Sequence, residues 1–413
     1  MKAPARPQGL LDRSVGRGFQ SRVVMRISIP LDNWEPDRGG TERYIQRLAG
    51  ALQERQHEVT VICLKTDPQG AEVPRVEVLQ GVTGPRWLRE LRFARRSLAA
   101  HRESGREVLL AVRHAVAADI YQPHGGSFRA GRAAAARSFP PLWRWARAVV
   151  ATCRPTLHVL RWLDRAVFEH SPELVTVAVS KKVEEDFRRT FPHLDLSFVR
   201  LENSVDTRTY QGGDRATLRS VWDRRLGLDV TAPLASFVAH NFRLKGLRHA
   251  IGAIARTQHW QLIVAGGGAP GAYHRQARQL GVNQRVHFVG TVTQPRDLYA
   301  ASDAVLAPTY YDTCALNVLE GLACGTPAIT TRQNGADEIV LRHEAGIIVD
   351  RPDDEVGLAL ALEQIERSPA NFRAGARSAG EAFSWPQHVD AMEALLKQTA
   401  ARILSQRAAA KTR

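Results

Sequence analysis

Short apolar runs alternate with helical stretches along most of this 413-residue chain, and this alternation limits its fold more than any other feature of the sequence. The first run, Val23–Ile29, ends at Pro30 and predicts a buried parallel strand. A glycine-rich turn at 38–41 leads into a helix with apolar residues at helical spacing, and Glu58–Leu64 is the next predicted strand. This strand–glycine–helix–strand order is the right-handed unit of a doubly wound α/β sheet.

The strand–helix pattern starts again in the second half of the chain. The other predicted strands are Ile120–Tyr121, Leu174–Val179, Ala235–Ala239, Gln261–Ala265, Val286–Phe288, Ala304–Ala307 and Pro327–Thr330. A break around residues 205–232 separates the two series. We therefore expect two Rossmann-like domains that face a cleft, an N-terminal one over 23–205 and a C-terminal one over 206–385. Ligands of such sheets bind at the carboxyl ends of the strands, so the chemistry should lie in the loops that follow them.

The two ends of the chain are predicted separately. Residues 1–22 lack the apolar core of a secretory signal, and we expect a disordered arm there or, as the alternative, the product of a misplaced start codon. A final helix is predicted at 386–404. Its pattern leaves open which domain it packs on, with the N-terminal domain as one candidate.

The charge of the chain indicates an anionic partner. The net charge is +15 and the isoelectric point is near 10.3. Nucleic acid, an acidic membrane surface and a phosphorylated substrate would all suit it. No known nucleic-acid reading element is found, which argues against the first. The four cysteines show no metal-ligand spacing, and no metal is expected.

A pair of carboxylates marks the first candidate site. Asp312 and Glu320 lie eight positions apart, after the predicted strand Ala304–Ala307. We expect a helix that starts at Asp312, with Glu320 about 12 Å further along its axis. Its first amides and its dipole would form an anion site. The residues expected to supply these amides are Thr313, Cys314 and Ala315. An isolated pair of this kind is as readily an N-cap and a surface glutamate, so the neighbouring motifs decide.

Two neighbouring loops favour a phosphate site. Arg243 and Lys245 follow the strand Ala235–Ala239, and two cations there could neutralise a leaving diphosphate without a metal. Three consecutive glycines at 266–268 follow the strand Gln261–Ala265 and permit close approach of the backbone to a ligand. Each loop alone is equally typical of a solvated basic loop or an ordinary turn.

Taken together, these elements resemble the retaining glycosyltransferases of family 4, which have two Rossmann-like domains (the GT-B fold). The resemblance runs from about residue 23 to residue 400, and it is closest to the lipopolysaccharide core glucosyltransferase I group, which adds glucose to an inner-core heptose. The matching stretches are Gly39–Arg43, Ala178–Lys181, Asn203–Asp206, Arg243–Gly246, His287–Gly290 and Glu320–Pro327. Together these motifs are specific for the family, and none is specific for a particular sugar.

The resemblance assigns roles by position in the C-terminal half. Glu320 matches the glutamate that holds the ribose, and Lys245 matches the lysine that binds the diphosphate. Asp312 stands where the family has a glutamate that contacts the transferred sugar, and this shorter side chain leaves the donor sugar open. The usual partner arginine is replaced by His240, so we expect Arg243 to supply the second positive charge.

The resemblance also assigns residues of the N-terminal half. His124 follows the strand Ile120–Tyr121 and matches the active-site histidine that touches the donor sugar, although a lone histidine beside glycines is often only a loop residue. Gly39 and Gly40 match the loop that approaches the phosphates and the acceptor, and a plain tight turn would explain them equally well. The implied reaction is a retaining, metal-free transfer of a hexose from a nucleotide-sugar, expected to be UDP-glucose, to a lipid-linked saccharide such as lipopolysaccharide core.

A basic stretch with tryptophans lies between the two sites, from Phe128 to Arg165. Its candidate surface residues are Arg129, Arg132, Arg137, Trp143 and Trp145. Arginine with tryptophan suits an anionic membrane interface, and a helical insertion whose tryptophans fill the core is the alternative. In the resembled group this region approaches the membrane. The expected location is therefore cytoplasmic and peripheral, at the inner face of the cell membrane.

Two other classes of function stay open on the sequence alone. A nucleotide-sugar epimerase or a phosphorylase of similar architecture would share the fold and the donor site. A nucleic-acid-binding protein would share the charge.

Overall fold

The structure is a computed structural model, and it describes residues 24–35, 39–66 and 74–411. The arm predicted at 1–22 lies outside the described residues. Two separate parallel sheets, each covered by helices, dominate the part that is described. This is the predicted α/β class with two doubly wound domains.

The N-terminal sheet has seven parallel strands in the order β5-β3-β1-β6-β7-β8-β9. Its strands, with the short pair β2 and β4, are β1 (Arg26–Pro30), β2 (Asn33–Trp34), β3 (Glu58–Cys63), β4 (Lys65–Thr66), β5 (Arg75–Val78), β6 (Val108–Ala111), β7 (Ile120–Tyr121), β8 (Val175–Ala178) and β9 (Phe198–Arg200). The helices of this half are α1 (Gly40–Glu54), α2 (Arg86–Glu103), α3 (Phe128–Arg137), α4 (Pro141–Thr152), α5 (Pro155–Glu169) and α6 (Lys181–Thr190).

The C-terminal sheet has six parallel strands in the order β12-β11-β10-β13-β14-β15. They are β10 (Leu234–Val238), β11 (Gln261–Ala265), β12 (Val286–Gly290), β13 (Ala304–Ala307), β14 (Ala328–Thr331) and β15 (Gly346–Val349). The helices are α7 (Arg215–Leu226), α8 (Leu247–Arg256), α9 (Gly271–Gln279), α10 (Arg296–Ala301), α11 (Leu316–Ala323), α12 (Asp337–Arg342), α13 (Glu355–Arg367), α14 (Pro369–Ala382) and α15 (Trp385–Lys411).

The two domains share buried apolar surface as well as polar contacts. Val179 and Phe187 of the first domain belong to the same core cluster as Val318 and Leu322 of the second. Burial of apolar area is the main favourable term in such contacts, so it holds the two domains together around the cleft.

The last helix, α15, lies on the N-terminal domain. Val389, Met392 and Leu396 belong to the core cluster that contains the buried residues of β1, and the helix is longer than the predicted 386–404. Glu393 anchors it to the end of α1, since its carboxylate accepts hydrogen bonds from Arg55 at 2.5 Å and lies 3.0 Å from the His57 Nε2.

This anchor should make stability depend on pH. Burial alone would raise the pKa of Glu393, but Lys397, His57 and Arg55 lower it from 4.5 to about 2. A carboxyl with a depressed pKa stabilises the fold above its unfolded value, and the contribution is lost as the pH falls from 4.5 towards 2. We expect Glu393→Gln to lower the free energy of unfolding at pH 7 by up to about 3 kcal/mol. Chemical denaturation at pH 7 and pH 3 measures the loss, which should shrink at the lower pH.

Glu363→Gln is the matched control, because the Glu363 carboxylate makes a single, exposed ion pair within the described residues, with Arg367 at 3.8 Å. It should cost less than about 0.5 kcal/mol. Equal losses in the two variants, or a Glu393→Gln loss that does not change with pH, would contradict the expectation.

Candidate functional site

A cavity of about 340 Å³ lies between the two domains. Its walls come from the loops after β7, β10, β11 and β13, and from the starts of α1 and α11. The predicted residues that line it are Gly39, Gly40, His124, Lys245, Asp312, Thr313, Cys314 and Glu320. The structure thus brings most of the predicted site into one place at the carboxyl ends of both sheets.

The helix of the candidate site begins later than predicted. Helix α11 starts at Leu316 with Ala315 as its N-cap, so the prediction that Asp312 is the N-cap or a first-turn residue was wrong. Asp312 instead lies in extended backbone, where its N–H donates to the Gln333 carbonyl at 3.0 Å and it forms a β-bridge with Asn334. The carboxylate of Asp312 therefore precedes the helix by a short extended segment.

Side chains from elsewhere hold this segment extended. The Ser180 hydroxyl donates to the Thr313 carbonyl at 2.5 Å, and the Asn203 amide donates to the Cys314 carbonyl at 3.3 Å. The Asn334 carbonyl oxygen accepts from the Ala315 N–H at 3.0 Å. The Ala315 amide is thus already used and Ala315 does not line the cleft, which corrects its predicted part in the anion site.

The first free amides of α11 are those of the next two residues. The N–H groups of Val318 and Leu319 bond to the Ala315 carbonyl at 3.1 and 3.3 Å. The amides of Leu316 and Asn317 have no partner within the described part of the chain, and both residues line the cleft. Two amides without a partner therefore lie at the start of this helix, one to three residues later than predicted, and such amides are what an anion site at a helix N-terminus uses.

A second helix N-terminus faces the first. Helix α1 begins at Gly40 and its N-cap, Gly39, offers no side-chain hydrogen bond. A Cβ atom on Gly40 would lie 3.1 Å from the Leu316 Cδ1, so any side chain there would crowd the start of α11. Two positive dipole ends consequently converge on one cavity, which suits a ligand with more than one negative charge.

Lys245 and Asp312 form an ion pair in the cleft. Lys245 is placed by the tight loop after β10, which closes at Gly246 with a φ of +78°, a left-handed conformation that favours glycine. The pair sets a cation beside an acceptor-only carboxylate. The first can bind a phosphate and the second can accept hydrogen bonds from sugar hydroxyls.

Arg243 does not join this pair. Its guanidinium lies 3.9 Å from the centroid of the Phe139 ring, its side chain is exposed, and it is not among the residues that line the cleft. The predicted second cation is therefore not supplied by Arg243 in this structure. Arg43 of α1 lines the cleft instead, with its Nη1 3.9 Å from the Glu320 Oε1 and its buried Nε atom without a hydrogen-bond partner.

Glu320 is buried at the inner end of the cleft. Its Oε1 accepts from the Tyr210 hydroxyl at 2.8 Å and its Oε2 from the Tyr299 hydroxyl at 3.1 Å. Burial raises the pKa of Glu320 above its ordinary value, while Arg43 and the two hydroxyls oppose that rise. Sequence reasoning did not identify Tyr210, Tyr299 or Arg43, because each comes from an element distant in sequence.

His124 lines the cleft from the N-terminal domain, and its carbonyl accepts from the Thr313 hydroxyl at 2.8 Å. Burial of the ring, and then His388, lower the pKa of His124 to about 3, so the ring is neutral near pH 7. Its Nε2 atom is buried and lacks a hydrogen-bond partner. A polar ligand in the cleft could satisfy this atom.

The ring of His124 packs against Tyr44, with 4.5 Å between ring centroids. The Tyr44 hydroxyl lies 2.9 Å from the His388 Nε2, and the His388 Nδ1 lies 3.0 Å from the Glu202 carbonyl. A carbonyl only accepts, so the His388 Nδ1 carries the proton. Burial lowers the pKa of His388 to about 4, so its Nε2 accepts from Tyr44, whose oxygen accepts from the Gln122 amide at 3.0 Å. This chain fixes Tyr44 behind the site histidine.

The predicted surface residues lie on two helices, α3 and α4. Trp143 and Trp145 of α4 are 63% and 70% exposed, so these two tryptophans do not fill the core. Arg129 and Arg137 are exposed, whereas Arg132 is partly buried with its guanidinium 6.0 Å from the Phe128 ring centroid. The described helices include none long and apolar enough to cross a membrane. Across the same residues, no group of three or more metal-ligating side chains is assembled.

Two facing parallel sheets with a cleft at their carboxyl ends are the arrangement of the GT-B class expected from the sequence. Two family models match the two halves of the chain in turn: Glycosyltransferase Family 4 over residues 38–208, and Glycosyl transferases group 1 over residues 219–382. The chain is therefore a group 1, family 4-like glycosyltransferase, and the enzyme class expected from the sequence is confirmed.

Two curated relatives are named as sugar-transferring or sugar-phosphate-forming enzymes, and they differ in the phosphate compound that each is named for. The chain is 34% identical over 207 residues to a D-inositol 3-phosphate glycosyltransferase of Rhodococcus jostii (strain RHA1), a match that covers 46% of this chain and 44% of that protein. It is 27% identical over 247 residues to an alpha-maltose-1-phosphate synthase of Mycolicibacterium smegmatis (strain ATCC 700084 / mc(2)155), covering 55% of this chain and 63% of that protein. The matched region thus spans less than two thirds of these curated relatives.

Solved structures share the fold. WaaG, a glycosyltransferase involved in lipopolysaccharide biosynthesis, superposes with a TM-score of 0.72 at 20% identity, covering 86% of this chain and 94% of that one. Anabaena Alr3699/HepE in complex with UDP and glucose superposes with a TM-score of 0.65 at 18% identity, covering 91% of this chain and 100% of that one. The predicted GT-B fold is confirmed.

Tyr44→Phe tests the chain of hydrogen bonds behind His124. The change removes the hydroxyl and leaves the buried Gln122 amide and the His388 Nε2 without their partner, so we expect the free energy of unfolding to fall by about 1–3 kcal/mol. Tyr273→Phe is the control, since the Tyr273 hydroxyl has no hydrogen-bond partner among the described residues. Denaturant titration measures both variants, and equal small losses would contradict the arrangement.

Proposed function

We propose that this protein is a retaining glycosyltransferase that moves a hexose, glucose from UDP-glucose, to a lipid-linked saccharide such as lipopolysaccharide core. The observation that carries the proposal is the convergence of two helix N-termini and the cations Lys245 and Arg43 on one cleft, beside the carboxylate of Asp312. No metal is required in this proposal, because amides and side-chain cations offset the charge of the diphosphate.

The donor is proposed to lie along the cleft from the N-terminus of α11 to Glu320, further along the same helix. Its diphosphate would take the amides of Leu316 and Asn317 together with Lys245. Its ribose hydroxyls would donate to Glu320, whose carboxylate keeps acceptor capacity beyond the two tyrosine hydroxyls. Asp312 and the neutral His124 would then face the hexose.

The transfer step follows from this placement. The acceptor hydroxyl attacks the anomeric carbon from the face that the nucleotide leaves, while the bond between that carbon and the phosphate oxygen breaks. The acceptor proton passes to the leaving phosphate oxygen, so no side-chain base is needed. Lys245 and the start of α11 stabilise the charge that develops on the diphosphate.

The choice of donor and acceptor has partial support. HepE, which shares the fold, was solved in complex with UDP and glucose, and WaaG is involved in lipopolysaccharide biosynthesis. The curated relatives are named for inositol 3-phosphate and maltose 1-phosphate, which are different acceptors or products. The membrane-facing character of α4 favours the lipid-linked acceptor over these small molecules.

Helix α4 exposes a broad apolar face, which is the basis of this membrane proposal. None of its described side chains is buried, and Leu142, Trp143, Trp145, Val149 and Val150 are each at least half exposed. At 100° per residue these five fall on one broad face of the helix, and Arg144 lies opposite. An apolar face with tryptophans and flanking arginines suits an anionic membrane interface. The protein would then work peripherally, at the cytoplasmic face of the membrane.

Donor binding is the first test. UDP-glucose should raise the melting temperature of the wild type, because a ligand of the folded state stabilises it. Lys245→Ala should weaken binding about tenfold or more, as expected for loss of a charge-assisted contact. Arg243→Ala is the matched control, since Arg243 lies over Phe139 outside the cleft, and it should bind as the wild type does. The reverse order of effects would exclude the proposed diphosphate site.

Acceptor dependence separates the transferase from an epimerase of the same fold. UDP should be released only when a saccharide acceptor is added, whereas an epimerase would interconvert sugars without releasing it. Lys245→Ala should lower this release by about 10²–10³-fold.

Membrane binding is tested on α4. Trp143→Ser with Trp145→Ser should reduce co-sedimentation with anionic vesicles about tenfold or more, because two large apolar side chains no longer enter the interface. Val230→Ser with Val356→Ser is the control, since those valines are 70% and 57% exposed elsewhere. Neutralising Arg129, Arg132 and Arg137 should weaken binding to anionic vesicles and leave binding to neutral vesicles unchanged. Full binding by the tryptophan variant would remove α4 from the interface.

A further inference from the structure

A second cavity, of about 760 Å³, opens at the C-terminal end of α11. It lies between the linker at 207–213, the start of α7 and helix α14, and it shares no lining residue with the donor cleft. None of the roles proposed above uses this cavity.

Four arginines line the second cavity. Arg208 comes from the linker, Arg215 begins α7, and Arg373 and Arg377 lie one turn apart on α14. Glu381 is the one carboxylate among the lining residues. Guanidinium groups drawn from three different elements around one cavity are an arrangement that suits a phosphate group.

The positive charge of this cavity exceeds what its own carboxylates offset. Asp303, beneath it, contacts Arg215, lies 3.3 Å from the Arg373 Nη2, and is also 3.6 Å from Arg219. One carboxylate therefore serves three guanidinium groups. Arg377, in contrast, has no ion-pair partner among the described residues.

The lining arginines also repel one another. Burial lowers the pKa of Arg373, and the positive charges of Arg215 and Arg377 lower it further. Arg208 is the fourth arginine of the cavity. Like Arg377, and unlike Arg215 and Arg373, it has no ion-pair partner within the described ranges. A bound anion would relieve this repulsion, and a phosphate dianion would match the two unpaired guanidinium groups.

The shape of the cavity selects a small ligand. Arg373 has only 18% of its side chain exposed, whereas Arg208 and Arg377 are exposed, so a ligand that contacts all three arginines must be small enough to enter the cavity. The linker closes one side tightly, since a Cβ atom on Gly212 would lie 3.1 Å from the Cys324 carbonyl. The volume is still large enough for a phosphate with an attached sugar.

We propose that this cavity binds the phosphate group of a small molecule, with Arg208 and Arg377 closing on it from the linker and from α14. The site lies on the linker that carries Tyr210, whose hydroxyl holds Glu320 of the donor cleft. Phosphate bound there would tie the linker to α14 and so hold Tyr210 in place.

The test is calorimetric titration of the full chain with inorganic phosphate and, separately, with a hexose phosphate. Saturating UDP is present to occupy the donor cleft. Glucose is titrated as the uncharged control, and sodium chloride at the ionic strength of the phosphate solution is the control for non-specific ion binding. Wild type should bind phosphate at least about tenfold more tightly than Arg208→Gln with Arg377→Gln. Tighter binding of the hexose phosphate would identify an organic phosphate as the ligand, and equal binding would identify free phosphate.

Arg89→Gln with Arg95→Gln is the matched control, because both arginines are exposed on α2 and the net charge changes equally. This control should bind phosphate as the wild type does. Equal affinity in the wild type and in the Arg208 and Arg377 variant would overturn the proposal, as would equal weakening in the control. UDP binding, titrated first on a separate portion of each preparation without phosphate, reports the donor cleft by itself, so failure there concerns the proposed function and leaves this test intact.

Discussion

The geometry of the cleft depends on one short segment of extended backbone, residues 313–315. Its carbonyls are held by Ser180 and Asn203 of the first domain, and its last N–H is held by Asn334 of the second. These bonds delay the start of α11 until Leu316, so the helix points its free amides into the cleft. The carboxylate of Asp312 is set apart from the helix and can pair with Lys245. A backbone that both domains hold in this way transmits their relative position directly to the donor site.

The charges in the cleft are arranged so that none is buried alone. Asp312 is paired with Lys245, and the buried Glu320 has two tyrosine hydroxyls and lies near Arg43. A lone carboxylate at the position of Glu320 would carry a desolvation cost of several kcal/mol, on the order of the stability of a whole domain. The tyrosines therefore stabilise an ionisable group at the inner end of the cleft, where its remaining lone pairs can accept hydrogen bonds from a ligand.

The sequence predicts the strands and the location of the site better than it predicts local geometry. Strands β7, β11 and β13 have the predicted bounds, because their runs are apolar and bounded by turn residues. Strands β6 and β15 were missed although they are as long as β13, because the pattern of so short an apolar run does not by itself separate a strand from a buried turn of helix. The helix start was wrong because Asn334, distant in sequence, decides it. The cation Arg43 was missed for the same reason: only the fold brings α1 against α11.

The two chain crossings between the domains meet at one point, and this determines how the cleft could open. The chain leaves the first domain past Glu202, just before the linker, and α15 returns it at Trp385; the Glu202 carbonyl is 3.0 Å from the His388 Nδ1. A rigid rotation of one domain against the other would pivot near this contact. The contact is one hydrogen bond from Tyr44, which packs on His124, and the linker continues to Tyr210 on Glu320. Tyr44 and Tyr210 therefore connect His124 and Glu320 of the cleft to the two crossings, so a movement at the crossings would reach both of these groups directly.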